Sequence, residues 1–242
     1  MGLEDVTLRV FRHDPSRGGR PHYETYKVPV KRDTTVLSAL LYIKEKLDPT
    51  IAIRFSCRMA TCGSCGMMIN GVPRLACYTL VSQLKNKTVV VAPLNNFPLV
   101  KDLVTDFSAF FEKHKMMKPY LIRVDEYTQE KSQTFYPQTD DELTRYIQFA
   151  YCIKCGLCYA ACPVTATDKR FPGPQALSQL YRYYADSRDE GGVMRLKIVD
   201  DNHGVLRCHF AGSCSQVCPK GVDPALAIQL LRRALLVGRR GG

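Results

Sequence analysis

Apolar and polar residues alternate along the first hundred positions and recur at helical spacing through the rest of the chain. Val6, Leu8 and Val10 are separated by Thr7 and Arg9, the period-two pattern of a half-buried strand. Asp14 to Gly19 is rich in turn formers and leads into a second strand over Tyr23 to Val30. Val36, Leu37, Leu40, Leu41 and Leu47 then fall on one face of a helix for which Asp33 or Thr34 is the expected cap. Met67-Met68-Ile69 and Val72 flank Asn70-Gly71, a pair suited to a type I′ hairpin because both central residues need positive φ. Val89 to Val91 reads as one more buried strand, and strands wrapped on one helix predict a β-grasp.

Between Phe97 and Tyr120 the alternation gives way to helical segments. Helices are expected over Asp102 to Phe111, Asp140 to Ala150, Pro174 to Tyr184 and Pro224 to Val237; the last two start with proline, which suits a first helical turn. The expected fold class is α+β, with a β-grasp domain over residues 1–106 and an all-α domain over 107–242.

The cysteines give this frame its chemistry. Cys57-x4-Cys62-x2-Cys65-x11-Cys77 has the plant-type spacing of a [2Fe-2S] centre. Cys152-x2-Cys155-x2-Cys158-x3-Cys162-Pro163 is a bacterial ferredoxin run, partnered downstream by Cys208, Cys214 and Cys218-Pro219. In two-cluster ferredoxins the cysteine before proline crosses to the other cluster. Cys152, Cys155, Cys158 and Cys218 are therefore expected to hold a [4Fe-4S] cluster. Cys162, Cys208 and Cys214 are left for the other, because the place where a full run would carry a further cysteine is Ala211. Alanine cannot ligate iron, so that vacancy predicts [3Fe-4S], and all eleven cysteines are assigned.

Paired Cys-x2-Cys motifs also suit zinc. A four-cysteine run followed by proline is not the usual zinc arrangement, however, and three remaining thiolates would leave a zinc site short. Disulfides fit worse: the cysteine count is odd, the chain is too long to need staples, and nothing resembles a secretory signal, so a reducing, intracellular compartment is expected.

At 242 residues and 45% apolar composition the chain can bury real cores. Its apolar runs are as short as Val89-Val90-Val91-Ala92, so no membrane-spanning helix is expected. The formal charge of +11 raises nucleic acid as a partner. Three oxidised clusters with their thiolates would offset about two charges each, leaving near +5, and no recurring aromatic stacking motif accompanies the basic residues, so no nucleic-acid partner is expected.

Three stretches together resemble the iron-sulfur subunit of the succinate dehydrogenase and fumarate reductase family: Ser56 to Gly66, Cys152 to Pro163, and Cys208 to Lys220. Asn96-Phe97-Pro98, Gly173-Pro174, Asp186-Ser187-Arg188-Asp189 and Val222-Asp223-Pro224 agree as well, so the resemblance spans nearly the whole chain. The Cys65 form of the first loop is most similar to the fumarate reductase type. The resemblance implies a plant-type ferredoxin domain followed by a bacterial-ferredoxin-like helical domain. It also implies an electron-transfer role in a membrane-associated complex, peripheral on the cytoplasmic face of the inner membrane. The implied partners are a flavoprotein subunit carrying FAD, one or more hydrophobic anchor subunits, and quinone.

The same resemblance makes Pro163 and His209 candidates for the quinone side, although a histidine beside a ligand reads equally well as a surface residue. The chain departs from the mitochondrial type in having no tryptophan; where that type places one, it reads Val164-Thr165-Ala166-Thr167. Arg232 occupies a place where fumarate reductases carry a basic residue, and an exposed helical face is its plainer reading. Arg232, Arg233, Arg239 and Arg240 suit anionic headgroups or a solvated helix end. His13, His22, His114 and His203 are expected at the surface, and Tyr181, Tyr183 and Tyr184 in packing. Service to another flavoprotein dehydrogenase and a zinc-stapled binding module are the competing functions.

Overall fold

The computed structural model describes residues 4–84, 87–123 and 136–240, the side chains of Glu4 and of residues 238–240 excepted. Tertiary contacts divide the chain into two compact units, Met1–Phe107 with Ile153–Ala161, and Ser108–Cys152 with Cys162–Gly242. A single boundary at 106/107 treats each domain as one continuous stretch, whereas Ile153–Ala161 packs within the first unit.

In the first unit, β1 (Glu4–Arg12) pairs antiparallel with β2 (His22–Val30), and Leu8, Val10, Val28 and Val30 point inward. Helix α1 (Val36–Tyr42) follows, then β3 (Gly66–Ile69), β4 (Val72–Leu75) and β5 (Thr88–Ala92). The sheet runs β2-β1-β5-β3-β4, with β1 and β5 parallel and the other neighbours antiparallel. This is the expected β-grasp. Val36, Leu37 and Leu40 of α1 and Val89 and Val91 of β5 are all buried. Asn70 and Gly71 turn between β3 and β4 with φ of 49° and 77°, as a type I′ hairpin requires.

Two local expectations are corrected here. The cap of α1 is Thr35, whose hydroxyl accepts from Ser38 N at 3.1 Å, while Thr34 instead accepts from Lys31 N in the preceding turn. After Tyr42 the helix widens into a π turn, Ile43–Leu47, closed by Asp48 N donating to Ile43 O. The extra residue in the turn rotates Leu47 off the apolar face, and it stands 48% exposed.

The helix expected over Asp102 to Phe111 is also displaced. Residues 99–105 form a short hairpin, β6 (Leu99–Lys101) and β7 (Val104–Thr105), and α2 begins only at Ser108, running to Met116. Asp102 is buried in the hairpin turn, where its carboxylate accepts from His13 N and Ala52 N and pairs with Arg12 at 3.3 Å. That carboxylate is a tertiary hub and not a helix start.

In the second unit the helix expected over 140–150 is broken into α3 (Asp140–Thr144), opened by a Thr139–Glu142 capping box, and α4 (Ile147–Ala150). Tyr146 lies at the break and is buried, its hydroxyl bonded to Gln138 and Arg188. Further along the chain come α5 (Leu157–Ala160), which belongs to the first unit, then α6 (Pro163–Thr167), α7 (Pro174–Tyr184), α8 (Gly192–Val199), α9 (Ser213–Gln216) and α10 (Pro224–Arg240). Helix α7 matches its expected span, and α10 continues past Val237. Ala176, Leu177 and Leu180 of α7 and Ile228, Leu231 and Leu235 of α10 share one buried cluster, which Tyr181 and Tyr184 flank. No helix among the described residues is long and apolar enough to cross a membrane. The side chains of Arg239 and Arg240, considered above for headgroup contact, lie outside the described residues.

Candidate metal centres

The first centre is built by an irregular loop. Arg58, Ala60 and Gly63 all adopt positive φ, 57°, 57° and 75°, which turns successive peptide N–H groups toward one point and forms an anion-binding nest. Those donors meet cysteine sulfur. Met59, Thr61 and Cys62 direct N–H groups at Cys57 Sγ over 3.4, 3.3 and 3.2 Å. Ala60 N lies 3.3 Å from Cys77 Sγ, and Cys77 N lies 3.5 Å from Cys65 Sγ. Cys57, Cys62 and Cys65 of this loop and Cys77, just beyond the β3–β4 hairpin, thus share one hydrogen-bonded network, in which amide donors offset thiolate charge as a cluster site requires.

Their environments differ sharply. Burial pushes the Cys65 thiol up to about 12. Burial also opposes ionisation of Cys62, but hydrogen bonds from the Ser64 hydroxyl and from the Cys57 and Ser64 N–H groups prevail and hold its thiol down to about 6. In iron-free protein, alkylation should therefore reach Cys62 first, half-maximal near pH of about 6, and leave Cys65 unmodified at neutral pH. Mass-spectrometric mapping of iodoacetamide adducts against pH checks this; equal labelling of all four thiols would mean that the nest forms only with metal.

The two later runs repeat one backbone device. In the first, Lys154 and Gly156 take φ of 55° and 78°, and α5 begins immediately. In the second, Phe210 and Gly212 take φ of 55° and 73° at the same offsets from the leading cysteine, and α9 begins immediately. Position for position, Ala211 stands where the first run has Cys155.

Within the first unit, Asn96 donates its amide to the carbonyls of Tyr159 and Ala160 at 3.1 Å each, holding the end of the helix that carries Cys158. Phe97 stacks on Phe107 with centroids 4.4 Å apart and also meets Tyr159. These contacts give the Asn96-Phe97-Pro98 motif its use. Within the second unit, Cys152 and Cys218 both pack on the cluster of Tyr146, Phe149, Val222 and Ala227.

Cys162, Cys208 and Cys214 line one largely apolar concavity of the second unit, together with Pro163, His209 and Ala211. Pro163 and His209 are exposed at its rim. Phe210 N points at Cys208 Sγ over 3.4 Å, and burial pushes the Cys214 thiol up to about 11. Thiols so placed are costly to ionise without a cation, and iron supplies one. Among the described residues no three His, Cys, Asp or Glu side chains converge on a point fit for a single metal ion, whereas thiolates that hold a cluster stand apart around its core.

Three side chains of the second unit, Arg232, His114 and His203, are less exposed than expected. Arg232 does not face solvent on α10: Nε donates to Val205 O at 3.4 Å, and Nη2 to Leu206 O at 3.0 Å and to Cys208 O. It thereby fixes the strand of chain that delivers Cys208. His114 is buried, with Nδ1 3.2 Å from Gln175 Nε2, because α2 packs against α7. His203 is half-buried and bonded to Asp168 at 2.7 Å, and Arg207 joins the same carboxylate. Neither Arg232 nor Asp168 has a spacing signal in the sequence; only the folded chain brings each to its partners.

Comparison with known proteins fits this arrangement. Residues 7–112 match the family of 2Fe-2S iron-sulfur cluster binding domains, and residues 148–222 match 4Fe-4S dicluster domains. The chain is 45% identical over 227 residues to the fumarate reductase iron-sulfur subunit of Mycobacterium tuberculosis, covering 94% of this chain and 91% of that protein. Identity to the fumarate reductase iron-sulfur subunit of Haemophilus influenzae is 43% over 231 residues, covering 92% of this chain and 90% of that one. Among solved structures, a chain of the Mycobacterium smegmatis Sdh1 complex in its apo form superposes with a TM-score of 0.86 at 27% identity, covering 96% of this chain and 95% of that one.

Proposed function

Because the chain belongs to the iron-sulfur subunits of the fumarate reductase and succinate dehydrogenase family, we propose that it relays electrons between the FAD of a flavoprotein subunit and quinone at a membrane anchor. The clusters, when bound, supply one-electron chemistry that couples a two-electron flavin to a two-electron quinone. The chain's own task is to hold them and set their surroundings. Cys57, Cys62, Cys65 and Cys77 hold [2Fe-2S]; Cys152, Cys155, Cys158 and Cys218 hold [4Fe-4S]; Cys162, Cys208 and Cys214 hold [3Fe-4S]. No side chain acts as nucleophile, acid or base on the dicarboxylate, which reacts on the flavoprotein.

One observation carries the three-iron assignment. Three cysteines line a single concavity in which Ala211 takes the fourth ligand's place, on a backbone that repeats the turn around Cys155. Pro163 and His209 at its rim are the quinone-side residues, and the membrane lies beyond them on the cytoplasmic face of the inner membrane. The test is electron paramagnetic resonance of the purified protein, as isolated and after dithionite reduction, with iron counted on the same sample. The expected result is a [3Fe-4S] signal in the oxidised state, a [2Fe-2S] signal on reduction, and about nine irons per chain. An oxidised sample without signal and with about ten irons per chain would remove the three-iron site, and zinc in place of iron would remove the redox role.

A further inference from the structure

The loop that carries Cys62 and Cys65 runs directly against the segment that carries Cys155 and Cys158, and both belong to the first unit. A Cβ on Gly63 would lie 2.8 Å from Cys155 Cβ, 2.9 Å from Cys155 Cα and 3.2 Å from Ile153 O. Non-bonded carbons rest about 3.5–4.0 Å apart, so no residue with a side chain fits without moving Cys155. None of the three atoms is the free end of a flexible chain that could swing aside. A Cβ on Gly66 would be 3.2 Å from Cys155 O and 3.1 Å from Leu157 Cδ2, a milder form of the same approach.

Backbone conformation alone does not account for the glycine. Gly71 has φ of 77° against 75° for Gly63, yet nothing lies within 4 Å of the Cβ position at Gly71. The left-handed turn and the close approach are therefore separable properties, and Gly63 has both.

Resting on the ligand assignments proposed above, we infer that Gly63 is a positioning residue for electron transfer between the [2Fe-2S] and [4Fe-4S] centres. Its missing side chain lets the backbone between Cys62 and Cys65 touch Cys155, so that no side chain or water separates a ligand loop of one cluster from a ligand of the next. The step is a single electron leaving the reduced [2Fe-2S] centre and entering the oxidised [4Fe-4S] centre, with no bond made or broken and no proton moved. Coupling between the centres falls steeply as the gap opens, and a methyl at position 63 opens it.

The test compares Gly63→Ala with Gly71→Ala in the iron-loaded complex with its flavoprotein. Iron content and the separate cluster signals establish loading. The reduced [2Fe-2S] signal is then measured with the [4Fe-4S] centre diamagnetic and again with it reduced. In the wild type and in Gly71→Ala the second condition broadens the signal and speeds its relaxation; in Gly63→Ala that effect is expected to be weaker, because relieving the clash moves the loop and Cys155 apart by about 1 Å, and freeze-quenched samples should show slower oxidation of [2Fe-2S] by its neighbour. Unchanged coupling in Gly63→Ala, or equal loss in Gly71→Ala, would overturn the inference. If Gly63→Ala does not load, Gly66→Ala provides the reading, with partial loss expected and wild-type coupling refuting. A wild type without a [2Fe-2S] signal would instead refute the ligand assignments.

Discussion

Ala211→Cys is expected to add one iron per chain, from about nine to about ten, and to abolish the paramagnetic signal of the oxidised protein. The expectation rests on backbone geometry as well as spacing. Phe210 and Gly212 bracket Ala211 with φ of 55° and 73°, as Lys154 and Gly156 bracket Cys155 with 55° and 78°. A thiolate introduced at 211 would therefore leave the chain in the conformation that Cys155 uses, with Cys162, Cys208 and Cys214 lining the same concavity. Ala211 is exposed at that surface, so the added sulfur meets no packed neighbour that it must displace. A fourth thiolate also adds negative charge to the ligand set, which disfavours the reduced form, so the potential of the centre should fall. Iron analysis and a redox titration followed by paramagnetic resonance check both parts. A variant that keeps the three-iron signal and the wild-type iron count would show that the concavity cannot close on a fourth iron, whatever residue stands at 211.

How far this site was legible follows from how local its determinants are. Ligand spacing and the Asn70-Gly71 turn are properties of a few consecutive residues, and they read directly. The starts of α7 and α10 also read directly, because a proline with its fixed φ and missing N–H suits the first turn of a helix. What escaped depends on partners distant in sequence. Asp102 looks like a helix cap until His13, Ala52 and Arg12 claim its carboxylate. Arg232 looks solvated until the carbonyls of 205–208 arrive beneath it. Leu47 fits the apolar face by count, but a π turn intervenes. Ile153–Ala161 reads as part of a helical domain, yet it packs with the sheet unit, where Gly63 and Gly66 leave room for it and its own Gly156 leaves room for Phe97 and Phe107. The resemblance to a known family flagged Asp186-Ser187-Arg188-Asp189 without supplying a reason, and the structure supplies one.

Asp189→Ala is expected to destabilise the second unit by about 3–5 kcal/mol, the cost of leaving a buried charge without its partner. The side chains of Asp189 and Arg195 are both fully buried and paired with each other. Asp189 also accepts from Ile122 N at 2.9 Å and Gly191 N at 2.8 Å, while Arg195 donates to the carbonyls of Lys118 and Tyr120. One ion pair therefore gathers three stretches of backbone, and removing the carboxylate strands both a guanidinium and two N–H groups. Asp186, three residues earlier, is equally enclosed: Arg182 and Arg188 pair with it at 3.3 and 2.8 Å, and Gln138 donates to it at 2.9 Å. The contrast is Glu112 with Lys115, a pair at 2.7 Å whose side chains are 66% and 69% exposed; Glu112→Ala should cost no more than about 0.5 kcal/mol. Urea unfolding of the iron-loaded protein, followed by circular dichroism, distinguishes the two. Similar small losses for both would mean that water reaches Arg195 and that burial of the pair is not what holds this part of the fold. Replacing Asp189 and Arg195 together by apolar residues of similar volume should recover only part of the loss, because it removes the unpaired charge but still leaves the N–H groups of Ile122 and Gly191 and the carbonyls of Lys118 and Tyr120 without these partners.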